Sequence, residues 1–152
     1  MDVDPVFAHE FLNHIPVIGG IGALLLLAWG LCRRSEDVTL AALSAFVVVG
    51  LMGVVAFATG VRVPLNASDP ATTTLLHEHH DAAMAALVGL GAASMVAVCA
   101  LILWFTSRRY PTYAAVATLI VGLAATILVV RAAALGGRFS HTMLRANAVA
   151  KR

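Results

Sequence analysis

The chain has 152 residues, of which 61% are hydrophobic and only 12% are charged, whereas ordinary soluble domains contain about 25% charged residues. Its net charge of +2 is too small to indicate a nucleic-acid partner. The sequence shows no Ser/His/Asp pattern, no glycine-rich phosphate loop and no paired carboxylates on one helix face, which disfavours hydrolysis and group transfer. This composition predicts a membrane protein whose main partner is the lipid bilayer.

Four apolar stretches are long enough to cross a membrane as helices, at residues 15–32, 38–60, 70–106 and 113–135. A hydrocarbon core requires about 20 apolar residues in a helix, and backbone groups in lipid must be hydrogen-bonded within the protein. The alternating pattern of a membrane barrel strand is absent from these stretches. The sequence therefore predicts an all-α membrane protein, a bundle of four transmembrane helices in a single domain.

Proline and glycine mark the expected helix ends. Because proline disfavours the α conformation in the residue before it, we expect a break just ahead of Pro16, with the first membrane helix starting there. Asp69 and Pro70 have the pattern of an N-cap and a first helical residue, so the third helix is expected to begin outside the bilayer. Gly136 and Gly137 predict the end of the fourth helix, after which the chain turns back.

Two arginine pairs indicate how the bundle is oriented. Arg33-Arg34 and Arg108-Arg109 lie in short connections, and Lys and Arg accumulate in the short cytoplasmic loops of membrane proteins. The arginine connections are therefore expected inside, and both termini outside. The predicted location is the bacterial inner (cytoplasmic) membrane, crossed several times.

The predicted topology places all six histidines on the outer side. Imidazole is the side chain that both titrates near neutral pH and readily binds metals in its neutral form. The histidines come from segments remote in sequence, around the start of the first helix, the start of the third and the end of the fourth. Their convergence predicts a haem or metal site at one membrane face. They are His9, His14, His77, His79, His80 and His141.

Two of these segments form short motifs, His9-x-x-x-x-His14-Ile15-Pro16 and Leu135-Gly136-Gly137-x-x-x-His141. With His80 at the entry of the third helix, the chain resembles an uncharacterised bacterial family of four-helix membrane proteins over nearly its whole length. It departs from that family at Glu10, where proline is usual, and at Ile15, where phenylalanine is usual. The resemblance implies a membrane protein that binds haem, as a b-type cytochrome does.

A b-type haem requires axial ligands, and histidine is a common one. We expect His14 and His80 to form the axial pair because each adjoins a helix mouth, with His141 as the first alternative. His77 and His79 are expected to lie further out, where water competes, and helical spacing predicts that His79 points away from the face that His77 and His80 share.

Arginine is a good partner for the haem propionates because its guanidinium pairs with a carboxylate through two hydrogen bonds. Arg131 lies inside the fourth apolar stretch, where an arginine requires a partner or must extend to the interface. Arg62 and Arg138 are the further candidates. A haem at this face would exchange electrons with a membrane quinol or an external c-type cytochrome.

Two other classes of function fit the same residues. A transition-metal binding or transport protein would use copper or zinc, with ligands from His9, His14, His77, His80 and His141 and with Met84 favouring copper. A structural subunit of a larger respiratory or photosynthetic complex would need no cofactor. On each of these readings the chain is an electron carrier, metal protein or complex subunit rather than a stand-alone enzyme.

The orientation is tested by reporter fusions at each terminus. Alkaline phosphatase fused to either end is expected to be active, and green fluorescent protein there is expected to stay dark, because both ends face the outside. The reverse pattern is expected for fusions in the connection at Arg108-Arg109. Fluorescence from a fusion at the C-terminus would show that the orientation is the opposite one, with every histidine on the cytoplasmic side.

Overall fold

The computed structural model describes residues 5–61, 70–108 and 112–150, and the side chains at 9–61, 70, 72–108, 112–138 and 141. These residues form four α-helices, with no strand among them. Each helix has the length and composition to cross a membrane. The predicted all-α, four-helix membrane bundle is therefore confirmed. The helices are α1 (Pro5–Arg33), α2 (Glu36–Gly60), α3 (Pro70–Ser107) and α4 (Thr112–Ala150).

The helices are arranged as an up-and-down ring. Each helix packs along the one that follows it in the chain, and α1 packs against α4 to close the ring. Helices α2 and α4 barely touch, and α1 and α3 lie at opposite corners. Short connections between antiparallel neighbours give this topology in four-helix bundles. One end of the ring therefore carries the starts of α1 and α3 together with the ends of α2 and α4.

Small side chains set how closely the helices approach, as expected for helices packed in a membrane. The core consists largely of alanines, with Phe46 fully buried among them. A Cβ added at Gly122 would lie 2.5 Å from the Phe46 ring, so the glycine makes room for that side chain. A Cβ at Gly89 would lie 3.3 Å from the Cα of Ala125, which shows how near α3 and α4 come to each other.

Arginines and tryptophans gather at the end of the bundle that carries the two short connections, here called the arginine end. Arg33 lies 5.6 Å over the Trp29 ring and Arg108 lies 5.5 Å over the Trp104 ring, both within cation–π range. The Trp104 indole also donates a hydrogen bond to the Glu36 carboxylate, which links the end of α3 to the start of α2. This aromatic and basic rim is typical of a membrane interface.

The spacing of buried positions repeats between two helical hairpins, α1–α2 and α3–α4. The buried positions of α2 recur with identical spacing in α4, and those of α1 recur in α3. In α2 they include Thr39, Ala42, Phe46, Val49, Gly53 and Ala56, and in α4 Ala115, Thr118, Gly122, Ala125, Val129 and Ala132. In α1 they are Pro16, Gly20, Ala23, Leu27 and Gly30, and in α3 Ala86, Leu90, Ala93, Ala97 and Ala100.

Two expected helix breaks do not occur. Helix α1 begins at Pro5 and runs through Pro16, so the predicted break ahead of that proline is wrong. Proline removes one backbone donor, and membrane helices tolerate that loss because neighbouring groups satisfy the freed carbonyl. Helix α4 likewise continues past Gly136 and Gly137 to Ala150. Glycine inside a helix costs only about 1 kcal/mol relative to alanine, so the turn predicted there is also wrong.

The tightness of the α1–α2 contact can be measured at Gly30. A Cβ there would lie 2.9 Å from the backbone nitrogen of Thr39 and 3.2 Å from its Cα, and this backbone cannot rotate away. We expect Gly30→Ala to lower the free energy of unfolding in detergent by about 1–3 kcal/mol, the usual range for overpacking. Gly22→Ala is the matched control, because a Cβ at Gly22 meets nothing within 4 Å. Equal stability of the two variants would contradict the packing described.

Candidate functional site

A cavity of about 880 Å³ lies at the end of the bundle opposite the arginine end. Its volume is within the range of roughly 300–1,000 Å³ that is usual for small-molecule and cofactor sites. All six histidines of the chain line it, from α1, α3 and α4. The prediction that the histidines converge from remote segments is therefore confirmed as a spatial cluster.

The remainder of the cavity wall is mainly apolar and small. The deeper part of the wall comes from residues that lie about two helical turns or more from the histidine end of the bundle. A ligand in that part would be held away from water. Glu10 and Asn13 add polar atoms beside the histidines. The apolar wall includes Gly53, Ala56, Ala83, Ala86, Leu90 and Val129.

His9 crosses from α1 to α2 and is held there in one tautomer. Its Nδ1 lies 3.1 Å from the carbonyl oxygen of Ala56. Because a carbonyl can only accept a hydrogen bond, the ring donates through Nδ1, which also lies 3.4 Å from the Thr59 hydroxyl oxygen. In the neutral ring this leaves Nε2 unprotonated. The ring is partly buried against Gly60, where an added Cβ would lie 2.6 Å from its Cε1.

His79 makes the same arrangement between α3 and α4. Its Nδ1 lies 3.0 Å from the carbonyl oxygen of Ala132, so it donates to that oxygen and Nε2 is again left unprotonated. A Cβ added at Gly136 would lie 3.0 Å from the His79 Cε1. The expectation that His79 lies further out, where water competes, is wrong, because the side chain is partly buried and lines the cavity.

The predicted axial pair, His14 and His80, also lines the cavity, but both side chains are exposed. The Nδ1 of His14 donates to the carbonyl of Glu10 in its own helix, at 2.7 Å. The His80 ring lies with its centroid 5.9 Å from that of Phe57 on α2. These two imidazoles are thus exposed, whereas His9 and His79 are partly buried.

The other predicted site residues lie at the mouth or outside the cavity. His77 and His141 are exposed and line it. Arg131, Arg138 and Met84 are exposed and are not among the residues that line the cavity wall. Arg62 lies outside the described residues.

The side chains that could bind a metal at this cavity suit a cofactor whose metal needs few ligands from the protein. Among the described side chains, no three His, Cys, Asp or Glu residues come together closely enough to hold a bare metal ion. Haem iron needs only one or two axial ligands, because the porphyrin supplies the remaining nitrogens. Imidazole nitrogens freed by Nδ1–H bonds to carbonyls are the usual form of such ligands. The imidazoles and the small apolar side chains that line the cavity are the residues that would hold a haem.

A scan of the chain against protein-family models found no match, and searches of curated proteins and of solved structures found none either. The four-helix membrane bundle agrees with the architecture that the resemblance implies. The cytochrome character remains a prediction.

One signal in the sequence marks the carbonyls that accept the histidine bonds. The pattern Ala-x-Ala-x-Gly-x-Arg occurs at 56–62 at the end of α2 and again at 132–138 in α4. Its first alanine provides the carbonyl and its glycine makes room for the imidazole. A search for internal repeats would have found this pair and drawn attention to His79.

The tautomer of His79 provides a test that needs no cofactor. In the protein labelled with ¹⁵N at histidine, we expect the His79 ring to give the signature of a protonated Nδ1 and an unprotonated Nε2 at neutral pH. Gly136→Ala should displace the ring and shift these signals, since the added Cβ would crowd it. Gly137→Ala is the control, because a Cβ there meets nothing within 4 Å. A proton on Nε2 in the wild-type protein would contradict the bond to Ala132.

Proposed function

We propose that this protein binds a non-covalent b-type haem in the histidine-lined cavity and carries electrons at that face of the membrane. The observation that carries the proposal is the convergence of all six histidines on one cavity. Membrane-surface histidines with no common purpose would be distributed over both ends of the bundle. Here each of three helices directs imidazoles to the same space.

The residues of the chain supply what a haem site requires. The imidazoles provide nitrogen donors, and the Nδ1–H bonds of His9 and His79 to carbonyls fix the orientation of the ring. The small apolar residues of the deeper wall exclude water, and low solvent access is one of the factors that set a haem potential. Once bound, the haem iron supplies reversible one-electron exchange between its ferric and ferrous states.

Three arginines are the proposed partners of the propionates. Arg138 follows Gly137, which lines the cavity, and Arg62 follows Val61, which also lines it. Arg131 lies one turn before Leu135 in α4 and completes the predicted set. Paired hydrogen bonds between guanidinium and carboxylate would hold the polar edge of the macrocycle at the mouth.

The proposal places electron exchange at one membrane face. All six histidines lie at one end, so the arginine end has no imidazole to bind a second haem. The protein would therefore not conduct electrons across the bilayer. Its proposed partners are a quinol in the surrounding membrane and a c-type cytochrome or larger complex outside, with the chain in a bacterial inner membrane and both termini external.

The visible spectrum of the purified protein tests this function. Expressed in haem-replete cells, the protein is expected to be coloured, to show a sharp α-band on reduction with dithionite, and to release its pigment into acid acetone. Release into acid acetone distinguishes b-type haem from covalently attached haem, and the chain has no Cys-x-x-Cys-His attachment motif.

Metal analysis of the same preparation provides the contrasting result. A colourless protein carrying stoichiometric copper or zinc would refute the haem proposal in favour of a transition-metal site. A colourless protein without metal that co-purifies with a respiratory complex would refute it in favour of a structural subunit.

A further inference from the structure

His9 and His79 occupy equivalent places in the two repeated hairpins. Each lies on the first helix of its hairpin and reaches to the second, where its Nδ1 donates to an alanine carbonyl at 3.1 Å or 3.0 Å. In each hairpin the ring packs over the glycine one turn beyond that alanine, Gly60 or Gly136. No other histidine whose side chain the structure describes makes a hydrogen bond to a neighbouring helix that matches this arrangement.

The two imidazoles face a shared space. They come from α1 and α3, which lie at opposite corners of the ring, yet both line the one cavity. With both Nδ1 atoms engaged by carbonyls, the two free Nε2 atoms are the nitrogens available to a ligand between the hairpins.

We infer that His9 and His79 are the two axial ligands of the haem, with His14 and His80 at the cavity mouth serving as surrounding residues; this inference rests on the proposed function. An iron bound by two imidazoles requires one donor on each side of the porphyrin plane. Two donors related by the hairpin repeat meet that requirement, because they approach from opposite corners of the bundle. His14 and His80 are not equivalent in this way, since His14 bonds within its own helix and His80 lies beside Phe57.

The symmetry of haem matches that of the repeat. A two-fold axis in the plane of the porphyrin exchanges its two faces and also its two propionates. The repeat provides one histidine for each face. The sequence also places one arginine two residues after each of the glycines, Arg62 and Arg138. One hairpin thus supplies one of the two imidazoles, and the second hairpin supplies the other.

Replacement of each histidine by alanine tests the assignment in the full-length, haem-loaded protein. His9→Ala and His79→Ala are each expected to convert the low-spin spectrum of the wild type to a high-spin one, with weaker haem retention. The double variant should lose the haem. His14→Ala and His80→Ala are the comparison variants, since they remove imidazoles from the same cavity, and both should keep a low-spin spectrum.

Free imidazole separates a ligand role from a structural one. When millimolar imidazole is added to His9→Ala or His79→Ala, it is expected to occupy the vacated position and restore the low-spin spectrum. A misfolded variant would not be restored. Glycine variants give a second measure that leaves both histidines in place: Gly60→Ala and Gly136→Ala should shift the potential or the spectrum. Gly22→Ala, outside the cavity and with nothing within 4 Å of an added Cβ, should not.

Failure of this assignment and failure of the proposed function give different results. If the wild type binds low-spin haem and His9→Ala and His79→Ala both keep its spectrum, the axial pair is overturned while the haem function stands. Loss of the low-spin signal in His14→Ala and His80→Ala would assign the pair to the cavity mouth. A wild-type protein that binds no haem overturns both.

Discussion

The histidine end of this protein depends on access to a helix carbonyl that is normally covered. In an α-helix the Cβ of each residue is tilted towards the N-terminus, so the side chain of one residue lies over the carbonyl four residues earlier. The carbonyls of Ala56 and Ala132 are open to an approaching imidazole because Gly60 and Gly136 have no side chain. Each carbonyl oxygen has two lone pairs, so that of Ala132 can accept the imidazole N–H and retain its helical bond. The Ala56 carbonyl also accepts the Thr59 hydroxyl, at 2.8 Å. The glycines that weaken the helix therefore position the histidines.

The same constraint explains why the bundle is built from small residues. A histidine can reach a carbonyl on the adjacent helix only if the two backbones are close, and close approach in a membrane requires glycine and alanine at the contact. Corresponding positions of the two hairpins allow this close approach with side chains of different size. Phe46 of α2 corresponds to Gly122 of α4, and the two are in contact, so the large side chain of one hairpin fills the space left by the small residue of the other.

The sequence was sufficient for the helices and for the clustering of the histidines, because both follow from the long apolar stretches and their alternating direction. It was insufficient for helix continuity at Pro16 and Gly136, where rules drawn from turns in water overstate the tendency to break a helix within a bundle. The direction of His79 was also missed. Spacing along one helix shows which residues share a face, but not which face meets the neighbouring helix, and that depends on packing. The hairpin repeat was not recognised in the sequence because most of its buried positions carry different residues. Packing requires only that facing side chains have complementary volumes.

The acceptor of the histidine N–H bonds bears on the redox chemistry of the proposed site. A carboxylate acceptor would draw the Nδ1 proton strongly and make the imidazole a more electron-rich ligand, which favours the ferric state. His9 and His79 donate instead to neutral backbone carbonyls, which orient the rings with a smaller effect on their basicity. Burial then has the larger influence. An apolar wall disfavours the additional positive charge of ferric haem, so a haem bound in this cavity would be held in the ferrous form more than in an open site with the same two ligands.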